Sequence, residues 1–215
     1  MNKYIIITII GVFSIIILNC YLCWNTNMLV ESFTKTESII LVGDSILKNN
    51  SYVLEKKSVE NLLTTKTDAH VYCFAVNDSI ITDAQKQVNM LPQHLNEPST
   101  HIFLSIGGND ILKGIDPVSI IFKQYMDLVD LMKERMDKTK IVLINLYYPT
   151  DEKYEKYYSS VKRWNELVGA YAVDNHLKVL DASTILFKEE DFTSEIEPSV
   201  IGGEKLANEI SKISI

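Results

Sequence analysis

Three short runs carry residue types that could do chemistry. Gly43-Asp44-Ser45 follows the apolar run Ser38 to Val42, so a hydroxyl and a carboxylate stand where a strand would turn into a helix. A serine there lies near unpaired helix N–H groups that can face developing negative charge, which suits a nucleophile. The same tripeptide also fits a simple N-capping serine. Ser105-Ile106-Gly107-Gly108-Asn109-Asp110 ends a later apolar run; its two glycines permit a sharp turn that could aim Asn109 into the same crevice. Alone, that run is a turn signal. The third run, Ser194-Glu195-Ile196-Glu197-Pro198-Ser199, brings carboxylates near the C-terminus.

Hydrophobic patterning supplies the framework on which these residues sit. Apolar, β-branched runs at Ser38–Val42, His70–Val76, Thr100–Ile106, Lys140–Tyr147 and Leu177–Leu180 predict five strands. Helical patterns fall near Val59–Thr64, Ile81–Met90, Val118–Met136, Tyr154–Asp174 and Gly202–Ile213. Continuous apolar strands alternating with helices predict a parallel sheet covered on both faces, a three-layer α/β/α sandwich whose ligands bind beyond the carboxyl ends of the strands. His70, His94, His101 and His176 all fall toward the amino ends of strands, the edge opposite Ser45.

Composition removes other classes. With 47% hydrophobic and 23% charged residues, 8 Gly and 5 Pro in 215 residues, the chain is neither low-complexity nor collagen-like. A formal charge of −7 without a basic run argues against nucleic acid as a partner. Three cysteines, two of them Cys20 and Cys23 in or beside the apolar N-terminus, exclude a disulfide scaffold. No His/Cys/Asp/Glu cluster has metal-ligand spacing and no phosphate-cradling glycine loop is present, so neither a metal nor a cofactor is implied.

Taken together, strand-Gly43-Asp44-Ser45 and strand-Gly107-Gly108-Asn109-Asp110 resemble the first and third blocks of the SGNH or GDSL hydrolases, a family of serine esterases, lipases and carbohydrate deacetylases. Ala75-Val76-Asn77-Asp78-Ser79 looks like the second block, and Pro198-Ser199 with Gly202-Gly203 like the last. The resemblance runs from about Ser38 to the C-terminus and implies a flavodoxin-like sandwich. It implies Ser45 as nucleophile, with an oxyanion hole made by the N–H of Ser45, the N–H of Asp78 and the Asn109 side chain. Gly43, Asp44, Gly108, Asp110 and Asp191 would support them. The pattern departs at two places. Ser194 and Glu197 occupy the positions of the usual Asp and His, and Asp78 replaces a glycine. Ile-Glu-Pro-Ser followed by Gly-Gly looks like the mark of a subgroup, with Glu197 as a base in place of histidine, Asp191 or Glu195 as the other candidates at that edge, and Asp44 or Asp191 as carboxylates that would raise the pKa of Glu197. Tyr147 and Tyr148 could line the pocket, and Lys153 to Lys162 reads as a solvated helix face with i, i+4 pairs.

Tyr4 to Trp24 holds no charged residue over about the 20 positions that a helix needs to cross a bilayer. Residues 4–24 are therefore expected to be an uncleaved transmembrane signal anchor, 25–36 a tether and 37–215 the hydrolase domain. Lys3 favours a cytoplasmic N-terminus, with the body on the opposite side of a single-pass protein. The expected activity is cleavage of a lipid acyl or carbohydrate acetyl ester through a Ser45 acyl-enzyme. The alternative is a catalytically weak or inactive protein of the same fold that binds glycan, lipid or protein.

Overall fold

The computed structural model describes residues 17–19, 21 and 37–213. The stretch 4–24, expected to span a membrane, and the tether 25–36 lie outside the described residues except for 17–19 and 21, which are helical. Among the described residues no helix is long and apolar enough to cross a membrane. The body of the chain is described from Glu37 onward.

Five parallel strands form one sheet: β1 (Ser38–Gly43), β2 (His70–Cys73), β3 (Thr100–Ser105), β4 (Lys140–Ile144) and β5 (Lys178–Leu180), in the order β2-β1-β3-β4-β5. β1 and β3 are buried along their whole length, whereas β2 and β5 at the edges are partly exposed. Such apolar strands are stable only with both faces covered. The cover comes from α2 (Val59–Lys66) packed on α8 (Val200–Ile213), and from α3 (Ile81–Asn89), α5 (Val118–Arg135) and α6 (Tyr158–Asp174) packed side by side.

All five predicted strands and five helical regions are present, with shorter carboxyl ends for β2 and β4. The expected helix Tyr154–Asp174 divides: Glu152–Tyr157 is a 3-10 turn, and α6 starts at Tyr158. Lys153 is therefore not on an α-helical face, and its ion partners are Asp151 and Glu195. Three short helices had no periodic signal: α1 (Ser45–Lys48), α4 (Gly108–Leu112) and α7 (Ala182–Ile185). Nor did an antiparallel pair, β6 (Phe192–Thr193) and β7 (Glu197–Pro198).

Strand order reverses direction between β1 and β3, and their last residues, Gly43 and Ser105, are register partners. In open α/β sheets that reversal opens a crevice at the carboxyl ends. The runs containing Ser45 and Asn109 leave the sheet there.

Candidate active site

Gly43 ends β1 with φ +137°, and a Cβ at this position would lie 1.7 Å from the Ser105 carbonyl oxygen. Only glycine lets the two strand ends approach so closely. Gln87 of α3 closes the turn from the other side: its Oε1 accepts from Gly43 N–H at 2.8 Å and its Nε2 donates to Gly43 O at 2.9 Å. The N-cap of α1 is Asp44, whose carboxylate accepts from Ile46 N–H at 3.1 Å. Ser45 is thus not the capping residue, and its hydroxyl donates to Glu197 Oε1 at 3.1 Å. Both partners are more than nine-tenths buried. They lie 152 positions apart in the chain.

Glu197 reaches Ser45 from β7, where it pairs with Thr193 of β6. Burial pushes its carboxyl above the ordinary glutamate range; the Ser45 hydroxyl opposes that shift and the Asp78 carboxylate adds to it. Glu197 Oε2 is buried and has no hydrogen-bond partner. Burial likewise raises Asp44 well above its usual range, against the Ile46 N–H and with the negative charges of Glu197 and Asp110. Both carboxyls thus favour the protonated form more than an exposed carboxylate does.

The Gly107-Gly108-Asn109-Asp110 turn fastens the second block. Gly107 has φ +109° and packs under Trp164, whose ring a Cβ would meet at 2.4 Å. Asn109 Nδ2 donates to Ser79 O at 3.0 Å, leaving its second N–H for another acceptor. The Asp110 carboxylate accepts from Ile81 N–H, at 3.2 Å to Oδ2. Just before these two tied residues lies Asp78, with φ +60°. That left-handed backbone explains why glycine suits the position, and aspartate is among the few other residues that adopt it readily. Asp78 is exposed, and its carbonyl accepts from Lys113 at 3.0 Å.

Ser45, Asn109, Glu197, Asp44 and Gly108 surround one cavity of about 60 Å³. Its apolar wall includes Ile111, Leu146, Val161 and Tyr157. Tyr147 lines it as well, but Tyr148 turns away to pack edge-on against Tyr158, with ring centroids 5.3 Å apart. Asp78 and Asp191 are not part of the wall.

Asp191 differs from the expectation that it stands beside Glu197. It is fully buried and pairs with Lys205 at 2.6 Å, while its other oxygen accepts from Phe187 and Lys188 N–H. Burial works against the charged form, but these three donors outweigh it and hold the Asp191 carboxyl below its usual range. Its carbonyl accepts from Ser199 N–H at 2.8 Å, so Asp191 braces the foot of the β6–β7 hairpin. The Asp78 carboxylate adds to the upward shift of Glu197, and Glu197 in turn adds to that of Asp44.

The histidines remain at the far edge: His70 opens β2, His101 is second in β3, and His94 and His176 precede β3 and β5. Only His101 is buried; burial, followed by Lys140 and Lys178, lowers its pKa to about 4.

Reasoning from sequence missed Gln87, although a polar residue among Ile81, Ala84 and Val88 on the buried side of α3 is a readable signal. Asn165 is its counterpart on α6, exchanging two hydrogen bonds with the main chain of Leu146. Asn49, also missed, accepts from Val59 N–H and donates to Pro198 O, tying α1 to the residue after Glu197.

Residues 41–199 match the model of the GDSL-like lipase/acylhydrolase family. The chain belongs to that family. Solved structures of similar fold include a member of the lipolytic protein G-D-S-L family from Veillonella parvula, 21% identical, covering 83% of this chain and 98% of that one with a TM-score of 0.71. A lipolytic G-D-S-L protein from Desulfitobacterium hafniense is 18% identical over 84% of this chain and 100% of its own, with a TM-score of 0.65. The psychrotrophic esterase EstA from Pseudoalteromonas, in a structure inhibited by monoethylphosphonate, is 16% identical over 83% and 96% of the two chains, with a TM-score of 0.64. No match is found among curated proteins.

Proposed function

We propose that this GDSL-family chain hydrolyses carboxylic esters through a covalent Ser45 acyl-enzyme, with Glu197 as the base. The observation that carries the reading is the 3.1 Å hydrogen bond from the Ser45 hydroxyl to a buried glutamate at the position where the family has histidine. Ile196-Glu197-Pro198-Ser199 is read accordingly as the mark of a subgroup. The similar fold of an esterase inhibited by a phosphonate also supports a serine nucleophile.

As Ser45 Oγ attacks the ester carbonyl carbon, its proton passes to Glu197 Oε1 and the carbonyl oxygen becomes the oxyanion. The free N–H of Asn109 and the backbone N–H of Ser45, both on the cavity wall, stabilise that charge; Asp78, expected as a third donor, is exposed and lies outside that wall. Collapse breaks the bond to the alkoxy oxygen, which takes the proton from Glu197 and leaves as the alcohol. Water then attacks the acyl-enzyme, gives a proton to Glu197, and Ser45 recovers it as the carboxylic acid departs. The raised pKa of Glu197 brings it closer to the basicity that this shuttle needs. A cavity of about 60 Å³ with apolar walls suits a short acyl group, such as an acetyl on a carbohydrate or a short lipid acyl.

A fluorophosphonate probe tests the reading: labelling of the wild type and its loss in Ser45→Ala support a nucleophile. A folded sample that stays unlabelled favours the second reading, a binding protein for glycan, lipid or protein. That second reading draws on the weak basicity of a carboxylate and on Glu197 Oε2, which lacks a partner. We also propose that residues 4–24 anchor the domain 37–215 through the tether 25–36, as a single-pass protein with a cytoplasmic N-terminus. The uncharged run from Tyr4 to Trp24 supports this. Membrane fractionation with protease accessibility tests it; a body that fractionates with the soluble proteins, or is digested only from the cytoplasmic side, overturns it.

A further inference from the structure

Glu197 is delivered by a turn that should not hold its shape unaided. Three residues, Ser194, Glu195 and Ile196, join β6 to β7, and the first two have φ +45° and +77°. Neither is a glycine, asparagine or aspartate, the residues that occupy this region at least cost. The turn has one internal main-chain bond, Ile196 N–H to Ser194 O at 3.0 Å. β6 and β7 contribute two residues each, too few for an independently stable ribbon.

What holds the turn comes from two segments distant in sequence, the end of β4 and the 3-10 turn Glu152–Tyr157. Tyr147, just past β4, donates its hydroxyl to Ile196 O. Its ring lies against Phe192 with centroids 5.1 Å apart. From the 3-10 turn Glu152–Tyr157, the Tyr154 hydroxyl donates to Glu195 Oε2 at 2.9 Å, and Lys153 Nζ pairs with the same oxygen. Three side chains, from the end of β4 and the 3-10 turn, therefore grip two adjacent residues immediately before Glu197. The foot of the hairpin is fixed separately by Asp191 and Lys205.

We infer that Lys153, Tyr154 and Tyr147 are positioning residues that clamp the strained Ser194–Ile196 turn and so keep the Glu197 carboxylate against Ser45. This rests on the reading of Glu197 as the base. Lys153 is the most informative of the three because it neither lines the cavity nor touches Glu197 or Ser45. With the clamp cut, the turn relaxes and the carboxylate leaves its buried position while the sheet stays folded.

The test uses the full chain and two measurements. Lys153→Met is expected to lower kcat for a short acyl ester about 10-fold, with KM changed less than twofold. In ¹³C-carboxyl NMR its Glu197 should titrate closer to an ordinary glutamate than in the wild type. Adding Ser194→Asn and Glu195→Gly supplies residues that accept left-handed backbone, so the triple variant should recover kcat and the wild-type titration although no ion pair can form. Lys153→Met that leaves Glu197 titrating as in the wild type overturns the inference. So does a triple variant that stays as slow as Lys153→Met. If the wild type shows no Ser45-dependent turnover, the reading of the base fails, and the titrations alone still decide whether the clamp places Glu197.

Discussion

The two sides of the cleft are built differently. Ser45 leaves a wholly buried strand at the centre of the sheet, and its turn is locked by Gln87 to Gly43, by the Asp44 cap and by Asn49 to Val59 and Pro198. Glu197 arrives on a two-residue strand at the margin, gripped at the hairpin tip through the half-exposed pair of Lys153 with Glu195. The proposed nucleophile shares the cooperativity of the core, whereas the proposed base sits on a short marginal strand, the kind of segment that opens locally. Changes in the residues that support Ser45 should therefore register in stability, and changes in those that support Glu197 in rate.

The largest effect expected is on turnover. Ser45→Ala should lower ester hydrolysis by roughly 10³-fold or more, because the proposed acyl-enzyme forms on the Ser45 hydroxyl. A rate within tenfold of wild type in a Ser45→Ala assay defeats the nucleophile assignment. Glu197→Gln keeps the shape and a hydrogen-bond acceptor but cannot take a proton. We expect a loss of roughly 10²-fold in kcat, with the thermal midpoint nearly unchanged, since the hairpin carries little of the core. A large drop in midpoint would contradict the contrast between the two sides.

Gln87→Leu probes the opposite case. It strips the buried Gly43 main chain of both side-chain partners supplied by Gln87, and we expect a loss of about 2 kcal/mol in urea unfolding. Stability equal to wild type would show that the Gln87 brace is dispensable.

The pH dependence separates the two edges of the sheet. Glu197 must be ionised to accept a proton, so kcat/KM should fall with acidity through a pKa above the ordinary glutamate value. For folding, the raised Asp44 binds its proton more tightly in the native state; its contribution is complete below its unfolded pKa and is lost as pH rises through the folded one. His101, lowered to about 4, has the opposite sign: stability is lost as pH falls from the usual histidine range toward that value. The smallest effect expected is at Asp44. Asp44→Asn retains an oxygen for the Ile46 cap but cannot ionise, so it should gain about 1 kcal/mol in thermal melts at pH 8 and almost nothing at about pH 3.5. A loss at pH 8 would mean that the negative charge on Asp44 is itself stabilising.

The division between core and margin also decides what sequence alone could reveal. The five strands are legible because they are continuous apolar runs, and placing the histidines at the far edge required only strand direction. The runs at Gly43, Gly107 and Pro198 are legible as junctions. Neither the β6–β7 pair nor the 3-10 turn at Glu152–Tyr157 is, because two-residue strands and a six-residue turn have no hydrophobic period. The partners of Asp191 and Glu195 depend on tertiary approach, so neighbouring residues cannot disclose that one braces the hairpin foot and the other its tip. Asp78 is readable as a replaced glycine, but its exposure is not.

Trp164, fully buried and seated against Gly107, offers a practical handle on the turn that bears Asn109. Its indole is an intrinsic fluorophore whose emission depends on the contacts around it. Trp24 is the second tryptophan, so Trp24→Phe leaves Trp164 as the sole tryptophan, and red-edge excitation selects it over the 11 tyrosines. Stopped-flow fluorescence of that variant, mixed with a short acyl ester, then tests whether the proposed acylation of Ser45 disturbs the packing behind Asn109.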